Sequence, residues 1–201
     1  MPKSLPIVTT HQAVQELSER GFTNLHGMST WEPLRLYKGN VYGEAVSVRL
    51  TAMPARHGPR LVDFALPDVM GTLIELEHSS GPEPYRIYVT GDTVMFDGLR
   101  EIAARVPSID LMLVHLGGTR VLGVTVTMDG KQGLELIELL RPALTVPVHF
   151  DDYDVFKSPL SDFQERVERQ GLDHIVKVLE RGRSLQLPAM PARSAYQPHG
   201  H

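Results

Sequence analysis

Four residues in this sequence could do metal or acid–base chemistry because of where they fall: His57, Asp92, His115 and His149 each follow shortly after an apolar run. Runs ending near Met53 and at Val89, Val114 and Val148 read as strands, and the polar residue comes next in every case. In α/β sheets the carboxyl edge of the strands is where ligand and catalytic groups collect, because the strands are rigid there and the loops vary freely. Imidazole and carboxylate gathered at such an edge suit a hard or borderline divalent ion, with Zn²⁺ first and Mn²⁺ or Fe²⁺ as alternatives. Taken singly, each residue has a plainer reading. Gly91-Asp92 also makes an ordinary tight turn, and His115 is as well explained by a backbone hydrogen bond as by orienting a ligand. It is their joint placement that points to a site. His26, His78 and His174 fall in loop contexts and are given no role, and His11 at a helix start reads as a cap or solvent-facing residue.

Composition narrows the classes. The 201 residues are 42% hydrophobic, enough for one domain with a real core. A net charge of −4 without a Lys/Arg cluster argues against nucleic acid, whose phosphates need clustered cations. With no Cys, disulfides, thiolate ligands and a thiol nucleophile are excluded, and any metal must be held by His and carboxylates. No apolar run approaches the ~18 residues of a membrane span, and the first residues lack the apolar stretch of a signal peptide, so a soluble, cytoplasmic protein is expected. Residues 1–187 are expected to form the domain. The segment 188–201, rich in Pro, Ala, Gly and His, reads as a disordered tail, with His199 and His201 belonging to it.

The elements that must position the site are legible from periodicity. Val14 and Leu17, with Gly21 as a stop, predict a short helix over 11–20. Val46, Val48 and Leu50 alternate with Ala45, Ser47 and Arg49 and predict a half-buried strand ending at Met53, paired with 69–77. Further strands are expected at 85–90, 109–114 and 144–148. Helices are expected around Leu99 to Val106, stopped by Pro107, and over 133–140, closed by Arg141-Pro142. Ser158-Pro159 reads as an N-cap and first-turn proline for a helix through Phe163 and Val167. Last strands are expected near 175–179 and 184–187, and no internal repeat is visible.

Ala55-Arg56-His57-Gly58-Pro59, Thr90-Gly91-Asp92-Thr93, Asp110-Leu-Met-Leu-Val-His115-Leu-Gly-Gly118, Thr127-Met-Asp129 and Pro147-Val-His149-Phe-Asp-Asp-Tyr153 together resemble the metallo-β-lactamase superfamily, in its lactonase-like and phospholipase-D-like branch. The resemblance implies an αβ/βα sandwich with up to two metal ions. By resemblance, His57 would complete the first metal's ligands, Asp92 would bridge both and His149 would bind the second, with Asp92 and His115 as catalytic residues. It further implies hydrolysis of a small-molecule ester, lactone or phosphodiester. The Gly117-Gly118 segment, with Arg120 nearby, would either present N–H groups to an anionic substrate or be a plain tight turn. The family's His-x-His-x-Asp-His motif is not in this sequence. The expectation is therefore a sandwich lacking its N-terminal strands, as a fragment or a short homologue, with impaired hydrolysis. The other class held open is a non-catalytic interaction or scaffold protein whose uncovered strands associate into an oligomer. A phosphatase-like domain using Asp92 as nucleophile is disfavoured, since no second carboxylate stands at short spacing from it.

Overall fold

The computed structural model describes residues 1–41, 44–59, 66–78, 83–118, 120–121, 124–152 and 158–187. The chain opens with β1 (Ile7–Thr10), α1 (His11–Glu19) and β2 (Leu25–Met28), in which β1 and β2 pair in parallel. Thr10 caps α1 by accepting from the Ala13 N–H at 3.2 Å, and Gly21, at φ 83°, supplies the left-handed turn that ends the segment. Then come β3 (Pro33–Val41), β4 (Glu44–Met53), β5 (Gly71–His78) and β6 (Tyr85–Val89), in which β4 pairs antiparallel with β3, β5 with β4 and β6 with β5. After α2 (Arg100–Arg105) the chain adds β7 (Leu111–His115). A short β8 (Arg120–Val121) and β9 (Val124–Thr125) ribbon, α3 (Gly130–Leu140), β10 (Leu144–Val148) and α4 (Leu160–Arg169) complete the order. The main sheet has six strands in the order β10-β7-β6-β5-β4-β3, with β6, β7 and β10 parallel.

That topology decides where the candidate residues go. β4 and β6 are both antiparallel to β5, so they run the same way, and β7 and β10 run with β6. The residues that follow β4, β6, β7 and β10, including His57, Asp92 and His149, therefore leave the sheet at one edge.

Register divides the side chains between two faces. Met53, Leu73, Tyr88, Met112 and Val114 point to the helical side, where Leu99, Ile102, Leu136, Ile137, Phe163 and Val167 close a dry core over them. Farther along that side lies a row of charge, Arg35, Arg49, Glu75 and Arg86, in register across four strands. Glu75, only 6% exposed, takes Arg49 Nε at 2.8 Å and Arg86 Nε at 3.2 Å, so its buried carboxylate is neutralised on both oxygens. The opposite face is aliphatic. Around Tyr85, Leu111 and Val146 it is packed by Leu179, Leu185 and Leu187 from the segment after α4.

Two expectations are corrected. The segment 175–187 forms no strand: a 3₁₀ turn covers Asp173–Ile175, and only an isolated Thr145–Val176 bridge follows. Its spaced leucines pack side chains onto the sheet face, a pattern that spacing alone does not distinguish from a ladder strand. Ser158 is not the cap of α4 either. Pro159 occupies the cap position without a side-chain bond, while Ser158 Oγ accepts from the Gly130 N–H at 3.0 Å and so ties α4 to the start of α3. Sequence periodicity also passed over β1, β2 and β3. The expected tail, 188–201, lies outside the described residues. Among those residues no helix is long and apolar enough to cross a membrane.

Candidate metal centre

The chain leaves β6 through Thr90-Gly91-Asp92. Gly91 sits at φ 65°, and a Cβ there would come within 2.7 Å of the Met70 carbonyl oxygen, so the turn that lifts Asp92 over the sheet edge demands glycine. Thr90, fully buried, accepts from the His115 N–H at 3.0 Å, and its Oγ1 lies 3.4 Å from His115 Nδ1. This fixes the end of β7 against the end of β6. Three residues on, Thr93 Oγ1 accepts from the Arg56 N–H at 3.0 Å and the Val94 N–H donates to the Arg56 carbonyl at 3.0 Å. The loop after β4, which carries His57, is thereby pinned to the loop that carries Asp92.

His149 follows β10 directly, in the left-handed region at φ 58°. Such a backbone in a residue other than glycine costs of order 1–3 kcal/mol and persists only where the surroundings impose it. Here the Leu116 N–H donates to the Val148 carbonyl at 3.0 Å, holding the corner, and the bend brings His149 Nδ1 to 3.5 Å from Asp92 Oδ1 and 3.4 Å from the Leu116 carbonyl. The His115 and His149 rings lie with centroids 5.6 Å apart. Burial pushes the His115 imidazole below its usual range and the neighbouring His149 adds to this, while Asp92 and Asp152 pull the other way. The balance keeps His115 neutral at pH 7, the form that binds a metal or accepts a proton.

The structure thus brings Asp92, His149 and His115 together. His57 lies at the same edge. Its Nδ1 is buried and has no hydrogen-bond partner among the described residues, and an unsatisfied buried imidazole nitrogen wants a proton donor or a metal. Its ring lines a cavity of about 310 Å³ with His11, Ser29, Thr30 and Asp68 among the walls. His11, expected as a cap or solvent-facing residue, is exposed, and the cap is Thr10. It is the first residue of α1, its Nε2 lies 3.2 Å from Ser29 Oγ, and the ring sits so close to Gly27 that a Cβ there would fall 2.6 Å from Nδ1.

Imidazole nitrogens and a carboxylate are the donors a divalent ion takes, so the chemistry of the set fits. Its number falls short: among the described residues no group of three or more His, Asp or Glu side chains stands close enough to hold an ion. Gly117 and Gly118 both sit at positive φ, 125° and 58°. The Gly118 N–H is already given to the Met128 carbonyl at 3.0 Å, and the Arg120 side chain lies outside what is described. Gly118 has φ 58°, and a Cβ would meet Ser158 Cβ at 2.7 Å. Gly118→Ala should therefore lower stability by about 1–3 kcal/mol through strain and overpacking, read as a shift in the urea midpoint. An unchanged midpoint would mean that the turn relaxes freely.

Comparison with known proteins bears on the fold and the family. Residues 1–150 match the Beta-lactamase superfamily domain. A UPF0173 metal-dependent hydrolase of Nanoarchaeum equitans is 32% identical over 90 residues, 45% of this chain and 39% of that protein. The chain thus spans well under two thirds of that relative. Among solved structures, the isothiocyanate hydrolase from Delia radicum gut bacteria superimposes with a TM-score of 0.70 at 17% identity, covering 92% of this chain and 68% of that one. A possible metal-dependent hydrolase from Veillonella parvula gives 0.69 at 22% identity, covering 91% and 67%. The fold is that of the metallo-β-lactamase hydrolases, and with the family match extending over residues 1–150 the chain belongs to the β-lactamase superfamily.

Proposed function

We propose that the chain carries part of the site of a metal-dependent hydrolase acting on a small-molecule ester, lactone or phosphodiester, with Zn²⁺ as the ion and Mn²⁺ or Fe²⁺ as alternatives. The observation that carries this reading is the Asp92–His149 contact of 3.5 Å at the sheet edge, made by a strained His149 backbone beside the neutral His115. A second support is the buried, unpartnered Nδ1 of His57 at the same edge.

In this reading Asp92 offers a carboxylate oxygen, and His149 and His57 offer ring nitrogens. When bound, the ion would polarise the scissile bond and acidify a water from a pKa of about 15.7 toward ~7. His115 stands beside the pair with a neutral ring, able to accept a proton at a free nitrogen and to orient the carboxylate of Asp92. Thr90 holds it there through the backbone N–H, so its ring does not drift with the loops. A catalytic zinc keeps about three protein ligands. Since the described residues bring fewer together, the 201-residue chain alone should hold metal weakly and turn over slowly.

Titrating Zn²⁺ or Mn²⁺ while following the histidine ring signals by NMR tests this directly. The His149 and His57 signals should move at metal concentrations well above micromolar, and dialysis should strip the ion. If no ring signal moves at millimolar metal, the site does not bind metal, and the non-catalytic interaction protein becomes the better reading. Two ions per chain that survive dialysis would refute the weak-binding part and point to further ligands such as His11.

A further inference from the structure

The cavity of about 310 Å³ beside His57 lies between two units of the fold. One wall is the loop after β4, with Arg56 and His57, and the other is the start of α1 with the turn after β2, where His11, Ser29 and Thr30 stand. Two atoms of the first wall, Arg56 Nε and His57 Nδ1, are buried without a hydrogen-bond partner among the described residues. Native proteins pair nearly all their buried polar atoms, so two orphans on adjacent residues of one cavity call for an explanation from outside the chain. An arginine Nε–H can only donate, and its complement is an oxygen acceptor. The guanidinium stays charged at any working pH. Arg56 Cζ lies 4.4 Å from the centre of the Phe96 ring, and Arg56 forms no ion pair with a carboxylate among the described residues.

The far wall adds hydroxyls on a fixed turn. The Ser29 N–H donates to Glu32 Oε2 at 2.8 Å, and Trp31, left-handed at φ 68°, donates its N–H to the Ala52 carbonyl at 2.7 Å. The Ser29 and Thr30 hydroxyls rotate on this turn to meet an acceptor. Met28, Val69 and Met70 make the rest of the lining apolar. Asp68 is the one carboxylate there. It is exposed, where water and salt screen it, whereas Arg56 Nε is buried, where a charge acts through a lower dielectric. The cavity also adjoins the candidate metal centre, because Arg56 is clamped through its own N–H to Thr93, the residue after Asp92. We propose that this cavity takes the anionic group of the substrate, a carboxylate or phosphate on a short aliphatic stem, with Arg56 as the residue that selects it. The role as a substrate subsite rests on the hydrolase reading; the anion binding itself needs no metal.

The test titrates the chelator-treated, metal-free chain with butyrate and with butyl phosphate at low salt. Binding is read by the fluorescence of Trp31, the one tryptophan of the sequence and the neighbour of Thr30, and by the His11 and His57 ring signals in NMR. At least one anion should give a saturable change in the millimolar range that weakens as KCl is added, and 1-butanol should give none. The tighter anion tells whether carboxylate-bearing esters and lactones or phosphodiesters are the substrates. Arg56→Gln removes the charge but keeps the backbone bonds to Thr93 and Val94, so the loop stays in place while affinity falls about tenfold or more. Arg100→Gln, at an exposed arginine of α2, should change neither anion's binding. The subsite is overturned by any of three results: no saturable change in any of the signals, butanol binding as well as the anions, or full affinity in Arg56→Gln with an unchanged circular dichroism spectrum. Anion binding that begins only when zinc is added would overturn it too, since the ion would then be the anchor. A failed metal titration leaves these outcomes as they are, so the two readings fail separately.

Discussion

Asp92→Asn should lower metal-dependent hydrolysis, assayed on lactone and phosphodiester substrates at saturating zinc or manganese, by about a thousandfold or more. The change removes the charge and leaves the shape, so the Gly91 turn and the Thr93 clamp on Arg56 stay in place. What disappears is the anionic oxygen facing His149 at 3.5 Å. Charge stabilisation by a metal site is worth several kcal/mol, and ~4 kcal/mol corresponds to roughly a thousandfold in rate. Asp129→Asn is the matched control. Its carboxylate caps α3 by accepting from the Gln132 N–H at 2.9 Å, and Asn is an equally good cap, so both turnover and stability should hold. If Asp92→Asn keeps the turnover of the unmodified chain, Asp92 does not serve the reaction and the hydrolase site lies elsewhere.

Phe163→Ala should cost about 3–5 kcal/mol of folding stability, the range for emptying a buried aromatic position. Phe163 is fully buried where α4 crosses α3. A Cβ at Gly130 would meet the Phe163 backbone N at 2.9 Å, and one at Gly133 would meet the Phe163 ring at 3.2 Å, so the two glycines let the helices approach until the ring fills the gap. Such packing leaves nothing able to collapse into the space. Against a typical total of about 5–15 kcal/mol, the loss should bring the chain close to unfolding at 37 °C and lower the urea midpoint steeply. A loss below about 1 kcal/mol would show that α4 contributes little to the core. Two residues before that helix, the Ser158 N–H donates to the Gly117 carbonyl at 3.1 Å, so loosening α4 should also free the segment after His115.

Much of the scaffold was legible because local patterns encode local structure. The run Leu144 to Val148 is a strand with the expected bounds, the strand ending at Met53 pairs with the one that begins at Gly71, and Arg141 closes α3 in the left-handed conformation. Alternation and helical spacing record which side chains meet the core, and turn residues record where the chain must reverse. The same logic placed His57, Asp92, His115 and His149 after strands, since a polar residue following an apolar run needs only its neighbours to be recognised.

What the sequence alone determined, then, is the main run of elements from β4 to α4 without the β8–β9 ribbon, the exclusion of thiolate chemistry by the absence of Cys, and the candidate donors at strand ends. Only the tertiary structure decided which donors meet. The bend at His149 that faces it to Asp92, the burial that holds His115 neutral and the cavity that joins His57 to His11 depend on residues far apart in the chain. Ser158 turning to Gly130 instead of capping its own helix, and the leucines after α4 lying on the sheet instead of extending it, have the same origin. Local spacing fixes the direction of a side chain relative to its own element. Which element lies opposite is set by strand register and helix packing, which sum contacts over the whole chain and leave no mark in any short stretch of it.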